Sequence, residues 1–515
     1  MDKVVVINFG SQYTHLITTR IRELGVYSEI IQFDEANKVL YDDEVKAVIL
    51  SGGPKSVLDL DSPKVARELL ENLITKKIKI LGICYGHQLI AHLFDGNVEK
   101  GVGEYGPVRF RVIHKSKLFK GLPQEFIVWM SHSDHVTKVP KGFRVIGKTD
   151  NCEIAAMESE DEMIFGVQFH PEVVHTQFGK EILNNFLKLA RVKREWNLKN
   201  VAERIIKEIK ETVKNGKVVL AASGGVDSTV TAALIKKAIG KDNLFLVFIN
   251  TGFLRDGEPE EVLNNLKKMN FNVFYVDASE KFLKALKGIS DPEEKRRIFA
   301  KIYAETLKEA IKELERKYGR IDFFAQGTIY PDKIESGVAQ KMADRIKSHH
   351  NVVSPIPEGK KLLEPIASLY KYEVREIGKI LGVPDNILKR KPFPGPGLLI
   401  RILGSVDEKK LQICRKVHKI VEEEAKKLKE YDELWQIFPV LLDSKSVGIK
   451  GDKRAYGYIV VIRAVKSIDG MTADIAELPW KWLREIATKI TGEVPEVTRV
   501  VFDITTKPPA TIELE

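Results

Sequence analysis

Short apolar segments alternate with helix-like stretches in two successive parts of the 515-residue chain, and this alternation restricts the possible folds more than any other feature. The predicted strands are 3–9, 47–53, 78–83, 217–222, 244–249 and 272–276. Apolar strands separated by helices are typical of mostly parallel sheets that helices cover on both faces. We therefore predict an α/β fold with two doubly wound, mostly parallel-sheet domains.

Two irregular stretches divide the chain into three predicted domains. The segment 191–200 is a polar linker, and KPFPGPG at 391–397 contains three prolines and two glycines, which exclude regular structure there. The remainder has a predicted helix at 407–430 and alternating strands at 455–465 and 497–504, which indicates a smaller α+β domain. The predicted domains are 1–190, 198–396 and 397–515.

The composition describes a globular chain without a targeting or membrane segment. Hydrophobic residues make up 43% and charged residues 30%, and no apolar run approaches the roughly 20 residues that a membrane span needs. The N-terminus lacks the layout of a signal peptide, and three cysteines are too few for a disulfide framework or a zinc site. The net charge of +10 is mild for this length, and basic residues do not interleave with aromatic ones. We predict a cytoplasmic protein with neither a nucleic acid nor a membrane as partner.

Cys84 lies directly after an apolar strand and before a predicted helix, within GICYGHQ at 82–88. At such a turn the helix N-terminus stabilises a thiolate. QFHPE at 168–172 supplies His170 as a base and Glu172 as its orienting acceptor. Residues two apart on an extended backbone point to the same side, so the two side chains can meet. This set indicates a nucleophilic cysteine that releases ammonia from an amide.

Two further segments belong to this predicted site. The SGGP segment that contains Gly52 and Gly53 follows another strand, and its N–H groups could bind an oxyanion together with the N–H of Tyr85. His132 and His135 could line the amide pocket or could be incidental histidines of a surface loop. Sequence reasoning leaves both interpretations open.

A glycine-rich loop, SGGVDS at 223–228, follows the apolar run VVLAA and opens a predicted helix. Its first three N–H groups can bind a phosphate with the helix N-terminus behind them. Asp227 and Ser228 could supply a capping oxygen. The segment lacks the lysine of the GxxxxGK[ST] loop, which argues against a kinase-type site.

Residues 1–189 resemble a class I, triad-type glutamine amidotransferase domain. The resemblance implies that Cys84 attacks the side-chain amide of glutamine, that His170 transfers protons and that Glu172 orients His170. It further implies a set of residues that contact glutamine or its oxyanion. These are Gly52, Gly53, Tyr85 and Gln88.

The SGGVDS loop resembles that of the N-type ATP pyrophosphatases, which adenylylate a substrate with ATP and normally need Mg²⁺ to screen the phosphates. Joined to an amidotransferase, it indicates the family of glutamine-hydrolysing GMP synthetases. The supporting segments are AQGTIYPDKIES, IKSHHNV, KPFPGPGL, GDKRAYGY and KPPATIELE. The resemblance implies that ATP adenylylates the 2-oxygen of XMP and that ammonia then displaces AMP to give GMP, without a fixed metal site in the protein.

The same resemblance implies three further groups of site residues. The ATP-binding residues would be Ser223, Gly224, Gly225, Val226, Asp227, Ser228, Asp332 and Lys371. Thr251 and Gly252 join this group because they follow the next predicted strand, where doubly wound sheets bind their ligands. The residues of a lid over ATP would be Lys347, His349 and His350, and the two histidines could instead belong to a solvated loop or form a metal pair. The XMP-binding residues would be Arg401, Gln436, Lys507 and Glu513. The family also forms a homodimer through its C-terminal domain, for which YGYIVVIRAV could be an edge strand covered by a partner or an internal strand of a monomer.

Two other functions agree less well with the sequence. A tRNA-thiolating enzyme would need a sulfur-carrying cysteine near the SGGVDS loop, and no cysteine lies between residues 153 and 413. A degenerate amidotransferase that acts only as a scaffold would have lost the cysteine, the histidine or the glutamate, and all three are present.

Overall fold

The computed structural model describes residues 1–334, 357–467, 470, 473–507 and 509–515. These residues form two compact units, Met1–Asn200 and Val201–Glu515. Parallel strands alternate with helices in both units, which confirms the predicted α/β class. The residue bounds of the three predicted domains stay predictions.

The first unit is built on a nine-stranded sheet with the strand order β2-β1-β3-β4-β9-β8-β7-β5-β6. Its strands are β1 (Lys3–Asn8), β2 (Tyr27–Gln32), β3 (Val45–Leu50), β4 (Lys79–Ile83), β5 (Asn97–Val112), β6 (Glu125–Lys138), β7 (Phe143–Lys148), β8 (Ala156–Ser159) and β9 (Ile164–Val167). Its helices are Thr14–Glu23, Arg67–Thr75, Tyr85–Leu93 and Gly179–Leu189, with a 3₁₀ helix at Phe33–Tyr41.

Only half of this sheet follows the predicted pattern. Strands β2, β1, β3, β4 and β9 are parallel, and their apolar runs are buried because helices cover both sheet faces. Strands β8, β7, β5 and β6 extend the sheet antiparallel. The sequence analysis does not predict this extension, because long strands such as β5 are partly exposed and carry scattered polar residues instead of apolar runs.

The second unit contains a five-stranded parallel sheet with the order β12-β11-β10-β13-β14. Its strands are β10 (Val218–Ala221), β11 (Leu244–Asn250), β12 (Asn272–Asp277), β13 (Phe323–Ala325) and β14 (Lys361–Leu363). The helices described in this part of the chain are Leu198–Val213, Val226–Ile239, Glu258–Lys268, Ser279–Leu286, Pro292–Tyr318, Lys371–Ile380 and Asp385–Leu388. Strand β11 lies on one side of β10, and strand β13 lies on its other side. The carboxyl end of β10 is therefore the switch point at which such sheets bind ligands.

A third sheet occupies the C-terminal part of the second unit. Its strands are β15 (Ile402–Leu403), β16 (Gln436–Lys450), β17 (Lys453–Lys466), β18 (Asp474–Ile475) and β19 (Val497–Asp503), and its helices are Glu408–Ala425 and Trp480–Glu493. One hydrophobic core joins this sheet to the parallel sheet, since it includes Val219 and Phe245 as well as Val417 and Val460.

Strand β17, which contains YGYIVVIRAV, is not an edge strand. It pairs antiparallel with β16 on one side and parallel with β19 on the other. The alternation of apolar residues in this run predicts a strand but cannot predict how many neighbours it has, because each neighbour bonds to the backbone and leaves the side-chain pattern unchanged.

None of the described helices combines the length and the apolar character needed to cross a bilayer.

Candidate functional site

Cys84 occupies a strained turn between β4 and the helix Tyr85–Leu93. Its φ is +53°, a left-handed conformation that a side chain other than glycine rarely adopts. The turn is closed by the close approach of two glycines, since a Cβ atom on Gly82 would lie 2.6 Å from the backbone of Gly86. This geometry holds the thiol at the N-terminus of the helix, where the first N–H groups have no acceptor within the helix.

His170 and Glu172 form a buried pair beside this thiol. His170 Nδ1 lies 2.7 Å from Glu172 Oε1, and the imidazole also interacts electrostatically with the Cys84 side chain. Burial alone would lower the pKa of His170. However, the charges of Glu172 and Cys84 and the hydrogen bond to Glu172 raise the pKa well above its usual value of 6.5. The imidazolium is therefore stable beside a thiolate, as a cysteine nucleophile requires.

The other two thiols lack such surroundings. Burial raises the pKa of Cys152 to about 12 and that of Cys414 to about 12. Both thiols therefore stay protonated at neutral pH.

A cavity of about 460 Å³ opens above Cys84. The residues that line it include Ser11, Tyr13, Gly53, Lys55, Ser56, Cys84, Tyr85, Gln88, Tyr105, Ser131, His132, Asp134 and His170. Gly53 packs so closely that a Cβ atom there would lie 2.9 Å from the carbonyl oxygen of Phe9. Gly52 lies beside the imidazole, since its Cβ would be 3.1 Å from His170 Cε1. The structure thus brings Gly53, the thiol and its base to one cavity of amino-acid size, with Gly52 packed beside the base.

Two of the three other residues predicted for this site, Gln88 and His132, line the cavity. Gln88 is buried, and its Nε2 donates to Asp134 O at 2.7 Å, which leaves its side-chain oxygen available as an acceptor. His132 lines the cavity, whereas His135 is not among the lining residues.

The SGGVDS loop follows β10 and opens the helix Val226–Ile239 at the switch point of the parallel sheet. Gly224 has φ +72°, and a Cβ atom on it would lie 2.5 Å from Val262 Cγ2. Ser223 Oγ lies 3.2 Å from Ser228 Oγ across the loop. The loop therefore places backbone N–H groups at a helix N-terminus, an arrangement that is typical of anion-binding sites.

Cationic side chains from a distant helix reach this loop. Lys371 Nζ lies 2.5 Å from Asp227 Oδ2. Arg375, one turn further along the helix Lys371–Ile380, also interacts electrostatically with Asp227. Arg375 is not among the predicted residues, although its i+4 spacing from Lys371 places both on one helix face.

Two other predicted ATP-binding segments lie in the same region. Gly327 packs against the loop, since its Cβ would lie 3.0 Å from the backbone of Asp227. This proximity brings the segment with Asp332, whose Oδ2 accepts from the N–H of Ile329, close to the loop. Thr251 and Gly252 follow β11, the neighbour of β10, at the same edge of the sheet.

Arg401, Gln436 and Glu513 form one cluster in the C-terminal part of the second unit. The Arg401 guanidinium, 2% exposed, donates to both carboxylate oxygens of Glu513 at 2.9 and 3.2 Å, and Gln436 Nε2 donates to Glu513 at 3.3 Å. Arg401 also donates to His418 Nε2 at 2.8 Å. Glu513 is therefore held firmly although it lies near the end of the chain.

Four predicted residues remain, and the described contacts of one of them, Lys507, are with other residues than those of these clusters. Lys507 Nζ donates to Gly470 O at 2.8 Å, and its backbone pairs with that of Ala473. The predicted lid residues Lys347, His349 and His350 lie outside the described residues.

Three family models match successive parts of this chain. They are described as "Glutamine amidotransferase class-I" for residues 5–190, "NAD synthase" for 198–312 and "GMP synthase C terminal domain" for 423–514. Two relatives named "GMP synthase [glutamine-hydrolyzing]" align over the full length of both chains. The protein of Thermosipho melanesiensis is 49% identical over 520 residues, and that of Pyrobaculum aerophilum is 48% identical over 515 residues.

Proposed function

The chain belongs to the family of glutamine-hydrolysing GMP synthases and makes GMP from XMP with ammonia from glutamine, and we propose that two sets of its residues carry out these steps. The observation that carries the proposal for the first step is the buried His170, which hydrogen-bonds Glu172 and lines the same cavity as the strained Cys84.

In the amidotransferase site, the Cys84 thiolate attacks the amide carbon of glutamine. The N–H groups of the SGGP glycines and of Tyr85 stabilise the oxyanion of the tetrahedral intermediate. The His170 imidazolium then gives its proton to the leaving ammonia, and the resulting thioester is hydrolysed to glutamate by a water that His170 deprotonates. Glu172 fixes the ring through Nδ1 throughout.

In the synthetase site, the 2-oxygen of XMP attacks the α-phosphorus of ATP and pyrophosphate leaves. The N–H groups of the SGGVDS loop and the helix behind it stabilise the charge of the leaving pyrophosphate. Lys371, paired with Asp227, and Arg375, which interacts electrostatically with Asp227, add cationic charge beside this loop. Ammonia then displaces AMP to give GMP.

Mg²⁺ bound with ATP would screen the phosphate charges in this step. Asp227 would be a ligand of such an ion, because its Oδ1 is buried and has no hydrogen-bond partner in the described part of the chain. A carboxylate oxygen is also a ligand that Mg²⁺ prefers.

For XMP, the described contacts support a division of roles. Arg401 is nearly fully buried and is already engaged by Glu513 and His418, so it acts by holding the Glu513 carboxylate in place. Glu513 and Gln436 then offer polar atoms to the purine, and Lys507 offers a cation to the phosphate.

A homodimer through the C-terminal part is also proposed. Val447, Ile449 and Tyr456 are 47%, 79% and 67% exposed, and they share one face of the β16–β17 hairpin, where Val447 pairs with Tyr456. Such an exposed apolar cluster is typical of an interface. Ile449→Glu should shift the protein to monomer in sedimentation velocity, whereas Ile380→Glu, at an exposed apolar residue on another element, should not. A monomeric parent protein would contradict this part of the proposal.

The cellular location proposed is the cytoplasm, because the mechanism needs a free thiolate and the three cysteines are unpaired.

The proposal is tested by comparing glutamine with ammonium as the nitrogen source, in the presence of ATP, Mg²⁺ and XMP. Cys84→Ala should abolish glutamine-dependent GMP formation and preserve ammonium-dependent formation. Cys152→Ala, in which a buried thiol of the same unit is removed, should preserve both. Loss of both activities in Cys84→Ala, with an unchanged circular dichroism spectrum, would show that the two sites are not separate.

A further inference from the structure

The carbonyl group of Gly224, within the SGGVDS loop, is held by an arginine from a distant segment. Arg390 Nη1 donates to Gly224 O at 3.0 Å. The Arg390 side chain is only 15% exposed, and it lies directly before the KPFPGPG segment, which has no regular structure over its first residues. The contact therefore joins two irregular segments that are 166 residues apart.

Arg390 is itself fixed by a buried carboxylate. Its Nη2 hydrogen-bonds Glu258 Oε1, and Glu258 is 4% exposed. Arg255 binds the same carboxylate through its backbone N–H at 2.9 Å and through Nε at 3.1 Å. Burial alone would raise the pKa of Glu258, but the two guanidinium charges lower it, so the carboxylate stays ionised.

The position of this carbonyl determines where the next N–H group points. A peptide group is planar and trans, so the C=O of Gly224 and the N–H of Gly225 point in opposite directions. With the carbonyl directed at Arg390, the N–H of Gly225 points to the other side of the peptide, where Ser223 Oγ accepts it at 3.3 Å. A bound phosphate oxygen would replace Ser223 Oγ, which is a weak acceptor at this distance, as the acceptor of the Gly225 N–H.

A peptide between two glycines has little intrinsic preference for one orientation, because both residues have wide conformational freedom. The reversed orientation would direct a carbonyl oxygen at the phosphate and repel it. We propose that Arg390, anchored by Glu258, is a positioning residue that holds the Gly224–Gly225 peptide in the orientation that binds pyrophosphate. This inference rests on the proposed role of the SGGVDS loop.

The alternative is that Arg390 contacts the phosphate directly. Its guanidinium is bound to Glu258 and to the outward carbonyl of Gly224, so its role is indirect. The two roles predict different effects on pyrophosphate binding when the charge of Glu258, which anchors Arg390, is removed. Glu258→Gln would loosen a positioning arginine and weaken pyrophosphate binding, whereas it would free a direct ligand and leave binding equal or tighter.

The experiment measures pyrophosphate binding by calorimetry and the KM values for ATP and XMP. Arg390→Ala and Glu258→Gln should each raise the Kd for pyrophosphate and the KM for ATP about 10-fold or more, with the KM for XMP and glutamine hydrolysis changed less than two-fold. Arg390→Lys should recover part of the loss, because its ammonium group can still donate to the carbonyl. Lys389→Ala, at the adjacent exposed residue, is the matched control and should match the parent protein.

Each of the other outcomes would contradict either the positioning role of Arg390 or the proposed function of the loop. Equal increases in both KM values would show that Arg390 serves only general stability, and unchanged or tighter pyrophosphate binding in Glu258→Gln would overturn the positioning role. If the parent protein fails to bind pyrophosphate, the proposed function of the loop is wrong, which is distinct from failure of the inference about Arg390.

Discussion

Replacement of Glu172 by glutamine is the most informative perturbation of the amidotransferase site. The side chain keeps its size but loses its charge, and Glu172 is completely buried with Oε1 2.7 Å from His170 Nδ1. A hydrogen bond to a charged group contributes about 1.5–3 kcal/mol, which corresponds to about 10- to 150-fold in rate. Glu172 Oε2 has no hydrogen-bond partner in the described residues, so the new amide N–H groups also lack an acceptor there.

We therefore expect Glu172→Gln to lower the kcat of glutamine hydrolysis at least 10-fold, and to leave ammonium-dependent GMP formation within two-fold of the parent. The assay is release of glutamate in the presence of ATP, Mg²⁺ and XMP. Glu181→Gln, at an exposed glutamate of the same unit, is the control. A decrease of less than three-fold would refute the orienting role of Glu172.

The pH dependence gives a second readout of the same variant. The charge of Glu172 raises the pKa of His170, so the variant should lose the imidazolium at a lower pH and its kcat/KM should decline earlier on the alkaline side. A raised folded-state pKa stabilises the fold fully below the unfolded pKa of about 6.5, and this contribution is lost as the pH rises through the folded value. The stability deficit of the variant should therefore be largest in acid and diminish in alkali.

Three further substitutions test the second unit. Lys371→Met should raise the KM for ATP about 10-fold, because Asp227 loses its cation and repels phosphate; an unchanged KM would exclude that role. Gly224→Ala should abolish ammonium-dependent synthesis while glutamine hydrolysis persists. A φ of +72° is strained for alanine, and the alanine Cβ would overlap Val262. Normal synthesis by this variant would contradict the loop geometry. Glu513→Gln should raise the KM for XMP about 10-fold and leave that for ATP unchanged, as initial rates would show, and equal changes in both would argue against a specific XMP contact.

Much of the chemistry can be read from contiguous segments. Cys84 and the pair His170–Glu172 each lie in a short motif, because a strand–turn–helix junction and an i, i+2 spacing are local geometries. The SGGVDS loop is likewise a local device, in which glycines permit a conformation that other residues disfavour. The alternation of apolar runs, also a local property, predicts the α/β class that the structure confirms.

Other features depend on contacts between distant segments. The antiparallel strands β5–β8 and the two neighbours of β17 result from backbone pairing, which leaves little trace in side-chain periodicity. The roles proposed for Arg375 and Arg390 depend on an electrostatic interaction and a hydrogen bond, respectively, with a loop about 150 residues away in the chain.

The sequence alone therefore determined which reactive groups this protein carries and which local turns present them. Only the tertiary structure decided which charges neutralise one another, as with Lys371 and Asp227 or Arg401 and Glu513. The physical reason is that a nucleophile or a glycine turn is a property of a few adjacent residues, whereas the strength of a charge interaction depends on the distance and burial that the packed fold creates.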